Sequence, residues 1–204
     1  MPAFKNILFD LGDVLIDIDF QKVKAAFENL GITEFDKQFS QLTASSLFEN
    51  LETGKISETD FYKEIQQQSK IPLAETDIKN AWNAILLDFR AESMKRLQEL
   101  KQTHRLFLLS NTNEIHLTEV NNILHKQLGI NNLDVFFERA YYSHVVGLRK
   151  PYRQVFEYVL KDAGIVASET MFIDDTPPNI ETAGQLGFST HLLQKGERIE
   201  TMTF

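Results

Sequence analysis

The sequence predicts an α/β fold, a parallel sheet of about five strands with a helical segment inserted near its start. Short apolar runs recur along the chain: Ile7-Leu8-Phe9, Leu106-Phe107-Leu108-Leu109, Arg139-Ala140-Tyr141-Tyr142, Thr170-Met171-Phe172-Ile173 and a last one from Thr190 to Leu193. Their apolarity is continuous rather than alternating, as expected of strands covered by helices on both faces. Patterns of helical period separate the later runs, and strands alternating with helices imply a parallel sheet with right-handed crossovers. The region from about 19 to 88 shows helical patterns and no strand signal. The expected division is a core of residues 1–18 and 89–204 and a helical cap of residues 19–88.

In order, the first strand enters Asp10-Leu11-Gly12-Asp13 directly. Asp19 is placed to cap a helix in which Val23, Phe27 and Leu30 share a face, and Gly31 stops it. Helical patterns follow over Phe35 to Leu42 and over Ser45 to Leu51, the second closed by Gly54. Ser57 caps the next, with Phe61 and Ile65 inward, Pro72 breaks it, and Ile78, Trp82, Ile85 and Leu86 mark one more. Trp82 and the many phenylalanines of this region are read as core.

Beyond Arg90, a helix through Met94, Leu97 and Leu100 leads to the second strand, which ends at Ser110-Asn111-Thr112-Asn113. A helix through Ile115, Val120, Ile123 and Leu124 stops before Gly129. The Arg139 strand runs to His144 and then to Gly147-Leu148-Arg149-Lys150-Pro151, with Pro151 suited to the first turn of the helix that buries Val155, Phe156, Val159 and Leu160. The fourth strand ends at Asp174-Asp175-Thr176-Pro177-Pro178-Asn179, and a short helix to Gly187 leads to the last.

Composition narrows the function. With 29 acidic and 21 basic residues the net charge is −8, and no basic run offsets it, which argues against nucleic acid or an anionic membrane as partner. Cysteine is absent, which removes disulfides, thiol catalysis and thiolate metal sites. No apolar run approaches the roughly 20 residues of a membrane span, and Met1-Pro2-Ala3 leads into the first strand without a signal-peptide core. A soluble cytoplasmic protein is expected, and no protein partner is indicated.

Polar groups stand where the strands end. Asp10, Ser110 and the Asp174-Asp175 pair each follow an apolar run, and Lys150 sits in a loop feeding a helix. Singly these read as a turn aspartate, a solvated lysine or a helix cap. Parallel strands, however, aim such ends at one edge of the sheet, where ligands bind. Clustered carboxylates repel one another unless a cation sits among them, and Mg²⁺, which takes oxygen ligands, answers that need. A phosphate oxygen would complete its shell, Ser110 donating a hydrogen bond and Lys150 supplying charge, which makes an aspartate a credible nucleophile toward phosphorus.

The stretches Phe9-Asp10-Leu11-Gly12-Asp13-Val14, Leu109-Ser110-Asn111-Thr112-Asn113, Gly147-Leu148-Arg149-Lys150-Pro151 and Phe172-Ile173-Asp174-Asp175 resemble the four motifs of the haloacid dehalogenase superfamily. The likeness spans the chain, and the region from 19 to 88 is similar to that superfamily's helical cap on a Rossmann-like core. Within it the chain resembles the bacterial phosphatases that act on α-D-glucose 1-phosphate and related sugar phosphates, a branch also similar to the phosphatase domain of soluble epoxide hydrolases.

The resemblance implies a Mg²⁺-dependent phosphatase of a small phosphorylated metabolite, with Asp10 as nucleophile and metal ligand. It implies further metal ligands in the Gly12 carbonyl, in Asp175, and in Asp174 directly or through a water. Ser110 and Asn111 would hold the phosphoryl group, which Lys150 would bridge to Asp10. Most phosphatases of the superfamily carry a second aspartate where Gly12 stands. Asp13 substitutes only if the loop turns it inward, so weakly basic leaving groups such as a sugar 1-hydroxyl are expected to be preferred. The alternatives are a 2-haloacid dehalogenase, which needs Asp10 but no metal, and a weakly catalytic binding or regulatory module. His116, His144 and Lys55 are expected to be structural or solvated rather than ligands.

Overall fold

The computed structural model describes residues 4–33, 35 and 45–204. The helix expected from Phe35 to Leu42 falls, beyond Phe35 itself, outside the described residues.

Five parallel strands form the sheet: β1 (Asn6–Phe9), β4 (Arg105–Ser110), β5 (Arg139–Tyr142), β6 (Thr170–Asp174) and β7 (Ser189–Leu192), in the order β5-β4-β1-β6-β7. β1 is central, with Phe9 level with Leu108 on one side and Ile173 on the other. Its alternation divides the core: Ile7 and Phe9 join one apolar cluster with Leu106 and Leu108, while Leu8 joins another with Phe107, Phe156 and Phe172. Helices cover both sheet faces, so the central strands β1, β4 and β6 are buried and largely apolar, while the edge strand β7, Ser189-Thr190-His191-Leu192, is half-buried and more polar.

Helices α5 (Ala91–Leu100) and α6 (Glu114–Leu128) pack on the first face through Met94, Leu97, Val120 and Leu124. On the second face, α8 (Arg153–Ala163) and α9 (Pro177–Gln185) pack through Val155, Phe156, Val159 and Ala183. A short helix, α7 (Ser143–Val146), follows β5. Pro151 lies ahead of α8 rather than in its first turn: Tyr152 is extended, with φ −63° and ψ 129°, and the helix begins at Arg153. The Lys150–Pro151 peptide is cis.

The inserted region carries α1 (Phe20–Asn29), α2 (Ser46–Glu52), α3 (Glu58–Gln68) and α4 (Glu75–Asn83). Asp19 and Ser57 cap α1 and α3 through their side chains, as read from the sequence. Trp82 is fully buried among Phe27, Phe48 and Phe61, at ring separations of 6.4, 5.2 and 5.5 Å. These aromatics are core, as expected.

One expectation is corrected. The last helix of the region stops at Asn83, and Leu86 belongs to a strand, β3 (Leu86–Phe89), paired antiparallel with β2 (Ile16–Ile18). Each strand is very short, their partners are about 70 residues apart in the chain, and the register is irregular, so neither shows a clean period-2 pattern. Both passages between the sheet and the helical insertion run through this ribbon. Among the described residues, no helix is long and apolar enough to cross a membrane.

Candidate active site

Asp10 is the first residue beyond β1, and its N–H still donates to the Ile173 carbonyl at 2.9 Å, so the central ladder holds it in place. Ser110 ends β4 and Asp174 ends β6. The parallel sheet thus brings these three to one edge, as expected of strand ends around a central strand. Lys150 reaches in from the loop before α8. Only 1% exposed, its Nζ donates to Asp10 Oδ1 at 2.5 Å and to Asp174 Oδ2 at 2.7 Å.

The loop that delivers Lys150 is clamped by Asn111. The Asn111 Oδ1 accepts the Lys150 N–H at 2.8 Å, and its Nδ2 donates to the Lys150 carbonyl at 2.9 Å. The Asn111 side chain therefore fixes the backbone of Lys150 rather than facing the cavity with free polar atoms. Asp174 is spoken for as well: Oδ1 accepts from Thr176 N and Asn179 Nδ2, and Oδ2 from Lys150 and Asn179 Nδ2. Asp175 is half-buried and accepts from the Thr176 hydroxyl at 3.2 Å.

Carboxylate oxygens of Asp10, Asp174 and Asp175 lie within 4.8 Å of one another. Burial is the main cause that pushes Asp10 up to about 8; Asp174 and Asp175 add to it, and Lys150 works against it. Burial and Asp174 likewise push Asp175 up to about 6. Burial disfavours the Lys150 ammonium, but Asp10 and Asp174 outweigh it and hold the group above lysine's usual range. One ammonium among three carboxylates leaves an excess of negative charge in a desolvated place. A hard divalent cation with oxygen ligands suits that donor set.

Asp10, Gly12, Ser110, Asn111, Lys150 and Asp175 all line one cavity of about 250 Å³. Of the site residues read from the sequence, Asp174 alone does not line the cavity, but its carboxylate bonds Lys150 and lies beside those of Asp10 and Asp175. Asp13 does not turn inward. It holds φ 52°, its Oδ1 accepts the Ile18 N–H at 3.1 Å, and it lines a neighbouring cavity with Asp17 and Arg90. A side chain at Gly12 would press on Ile18, since a Cβ there would stand 3.0 Å from the Ile18 δ1 carbon.

The sequence did not reveal Ile18, Glu52 and Arg149, which also line the cavity. Arg149 lies within the quoted stretch Gly147-Leu148-Arg149-Lys150-Pro151, but no role was read for it. Glu52, at the end of α2, is 6% exposed, and the Arg149 Nη2 stands 3.1 Å from its Oε2. Burial raises its carboxyl above the usual range, with Arg149 pulling the other way. Nearby, Gly54 (φ 67°) packs so closely on the His144 carbonyl that a Cβ would overlap it.

The two histidines are structural. His116 is buried, stacked on Trp82 at 4.5 Å, and bonded to Asn113 and to the Trp82 carbonyl; burial depresses it to about 4. His144 meets the Thr112 carbonyl and Glu114. Lys55 is exposed and outside the cavity.

Comparison with known proteins agrees with this geometry. The profile of haloacid dehalogenase-like hydrolases matches residues 4–187. A D-ribitol-5-phosphate phosphatase from Bacteroides thetaiotaomicron is 30% identical over 94% of this chain and 93% of its own. Among solved structures, a HAD family enzyme of the same organism, an alanine variant in complex with magnesium and inorganic phosphate, superposes with a TM-score of 0.90 at 31% identity, covering 95% of this chain and 96% of the other. A predicted HAD-like family hydrolase from Porphyromonas gingivalis gives 0.87 at 33% identity, covering 96% and 93%.

Proposed function

The chain belongs to the haloacid dehalogenase-like hydrolases, and within them we propose that it is a Mg²⁺-dependent phosphatase of a small sugar or polyol phosphate. The observation that carries this is the close trio of carboxylates, two of them buried, with a single ammonium beside a cavity sized for a small ester. In this reading residues 19–88 form a cap over the core of 1–18 and 89–204.

Asp10, Asp175 and the Gly12 carbonyl would hold the magnesium ion. Asp174, its oxygens already engaged by Lys150, Asn179 and Thr176, contributes through a water. The bound ion would offset charge on the carboxylates and on the phosphoryl oxygens.

The chain's own residues do the rest. One Asp10 oxygen attacks phosphorus and forms an aspartyl-phosphate, which water hydrolyses. Lys150, held by Asn111, orients Asp10 and balances the phosphoryl charge. Ser110 donates a hydrogen bond to the phosphoryl group and Asn111 a backbone N–H.

The test is phosphate release from a panel containing D-ribitol 5-phosphate, glucose 1-phosphate and a 2-haloacid control, with Mg²⁺ and with chelator. The expected result is ester hydrolysis that chelation abolishes and Mg²⁺ restores. Halide release unaffected by chelator would replace this reading with the dehalogenase, and no release from any compound would replace it with a binding module.

A further inference from the structure

Cleaving an ester of an ordinary alcohol leaves an alkoxide, and a positioned acid that protonates it is worth about 10²- to 10⁴-fold in rate. Three carboxylic acids line the cavity: Asp10, Asp175 and Glu52. Asp10 and Asp175 belong to the charged trio at its base. The nucleophile's own turn offers this cavity no acid: Gly12 has no side chain, and the Asp13 carboxylate is bound to the Ile18 N–H and lines the adjoining cavity.

Glu52 is different. It arrives from the helical insertion and lines both this cavity and a smaller one that also holds Gly12, Ser110 and Asn111. Its Oε2 is buried and accepts no hydrogen bond among the described residues, and its polar neighbour is the Arg149 guanidinium. Glu49, one turn earlier, shares that guanidinium at 3.8 Å, which divides the counter-charge between two carboxylates. Lys150 is the other cation that acts on Glu52. Burial with incompletely offset charge raises the Glu52 carboxyl above its usual range, against the pull of Arg149, and that is the direction a general acid requires.

We propose that Glu52, brought by the helical insertion to the cavity that Asp10 also lines, is the proton donor to the leaving group. This rests on the phosphatase reading and extends it to esters of ordinary alcohols. As the Asp10 oxygen bonds to phosphorus, the bond from phosphorus to the leaving oxygen breaks and its electron pair stays on that oxygen. The Glu52 proton moves there, giving free alcohol and a glutamate. In the second half, water adds to phosphorus and its proton passes to Glu52, while the Asp10–phosphorus bond breaks and returns its pair to the carboxylate.

Glu52→Gln keeps the shape and removes the proton. Wild type and variant are compared on the alkyl phosphate that the panel shows to be cleaved fastest and on p-nitrophenyl phosphate, whose leaving group needs no acid. The first-turnover burst of nitrophenolate also reports an intact site. The expected result is a fall in kcat of at least about 10²-fold on the alkyl ester, with a burst slowed by less than about tenfold. Equal losses on both esters would overturn the proposal and make Glu52 a structural residue. A raised KM with unchanged kcat would overturn it in favour of substrate binding. Failure of the wild type on every ester would instead sink the phosphatase reading, and this inference with it.

Discussion

At the base of the cavity, Asp10, Ser110 and Asp174 stand at the ends of neighbouring parallel strands and Lys150 is clamped by Asn111, so backbone hydrogen bonds fix the charges. At the roof, Glu52 comes from the last residue of a seven-residue helix and Ile18 from a three-residue strand, and both meet the core through side-chain contacts and the close approach of Gly54 to His144. The base is built for fixed electrostatics, which catalysis by pre-placed charge requires. The roof is built from smaller pieces, and its contacts can part without disturbing the sheet. In the proposed mechanism the base supplies the nucleophile and the metal ligands, and the roof supplies the proton that admits esters of ordinary alcohols.

The largest expected effect breaks the base alone. Asp10→Asn should lower turnover by on the order of 10⁴-fold or more, since in the proposed mechanism Asp10 forms the covalent bond to phosphorus. It should not destabilise the fold, because it removes one of three crowded carboxylates. Turnover and thermal unfolding of the same sample check both halves, and loss of folding would show that the charge network also holds the sheet edge together.

A middle effect lies at the seam between insertion and core, where His116 stacks on Trp82. His116 is depressed from 6.5 to about 4 by burial, so the folded state resists its protonation. The stability tied to neutral His116 is complete above pH 6.5 and is lost as pH falls toward 4. Each pH unit of that gap is worth about 1.4 kcal/mol, which sets a ceiling of about 3 kcal/mol. Urea midpoints of wild type and His116→Gln, measured from pH 7 to 4, should converge as the pH falls, and parallel curves would remove the histidine from the account.

The smallest effect touches the roof. Gly54→Ala places a Cβ on the His144 carbonyl at a φ of 67°, an overlap with backbone that costs more than about 1 kcal/mol and is expected to lift the end of α2. KM for the best ester should rise several-fold, while Mg²⁺ affinity, set at the base, stays the same. A matching fall in Mg²⁺ affinity would show that roof and base are not independent.

The same contrast explains what could be read without coordinates. Asp10, Ser110, Lys150 and Asp175 were legible because continuous apolar runs mark buried parallel strands, and such strands deliver their ends to one edge. The caps Asp19 and Ser57 were legible because capping is local chemistry. Glu52 was not, since helical periodicity tells which face is buried but not which acid on it overlooks a cavity. The β2–β3 ribbon was missed because its pairing is non-local and its strands are too short to show a period. Pro151 was placed in a helix from a preference for first turns, and the extended Tyr152 overrode that preference.

The ribbon has a mechanical consequence. Its two strands carry the chain out to the insertion and back, so both crossings share one hydrogen-bonded strap. Ile18 sits on that strap and is also the wall against Gly12. Whatever reshapes the strap at Ile18 therefore reshapes the wall beside Asp10.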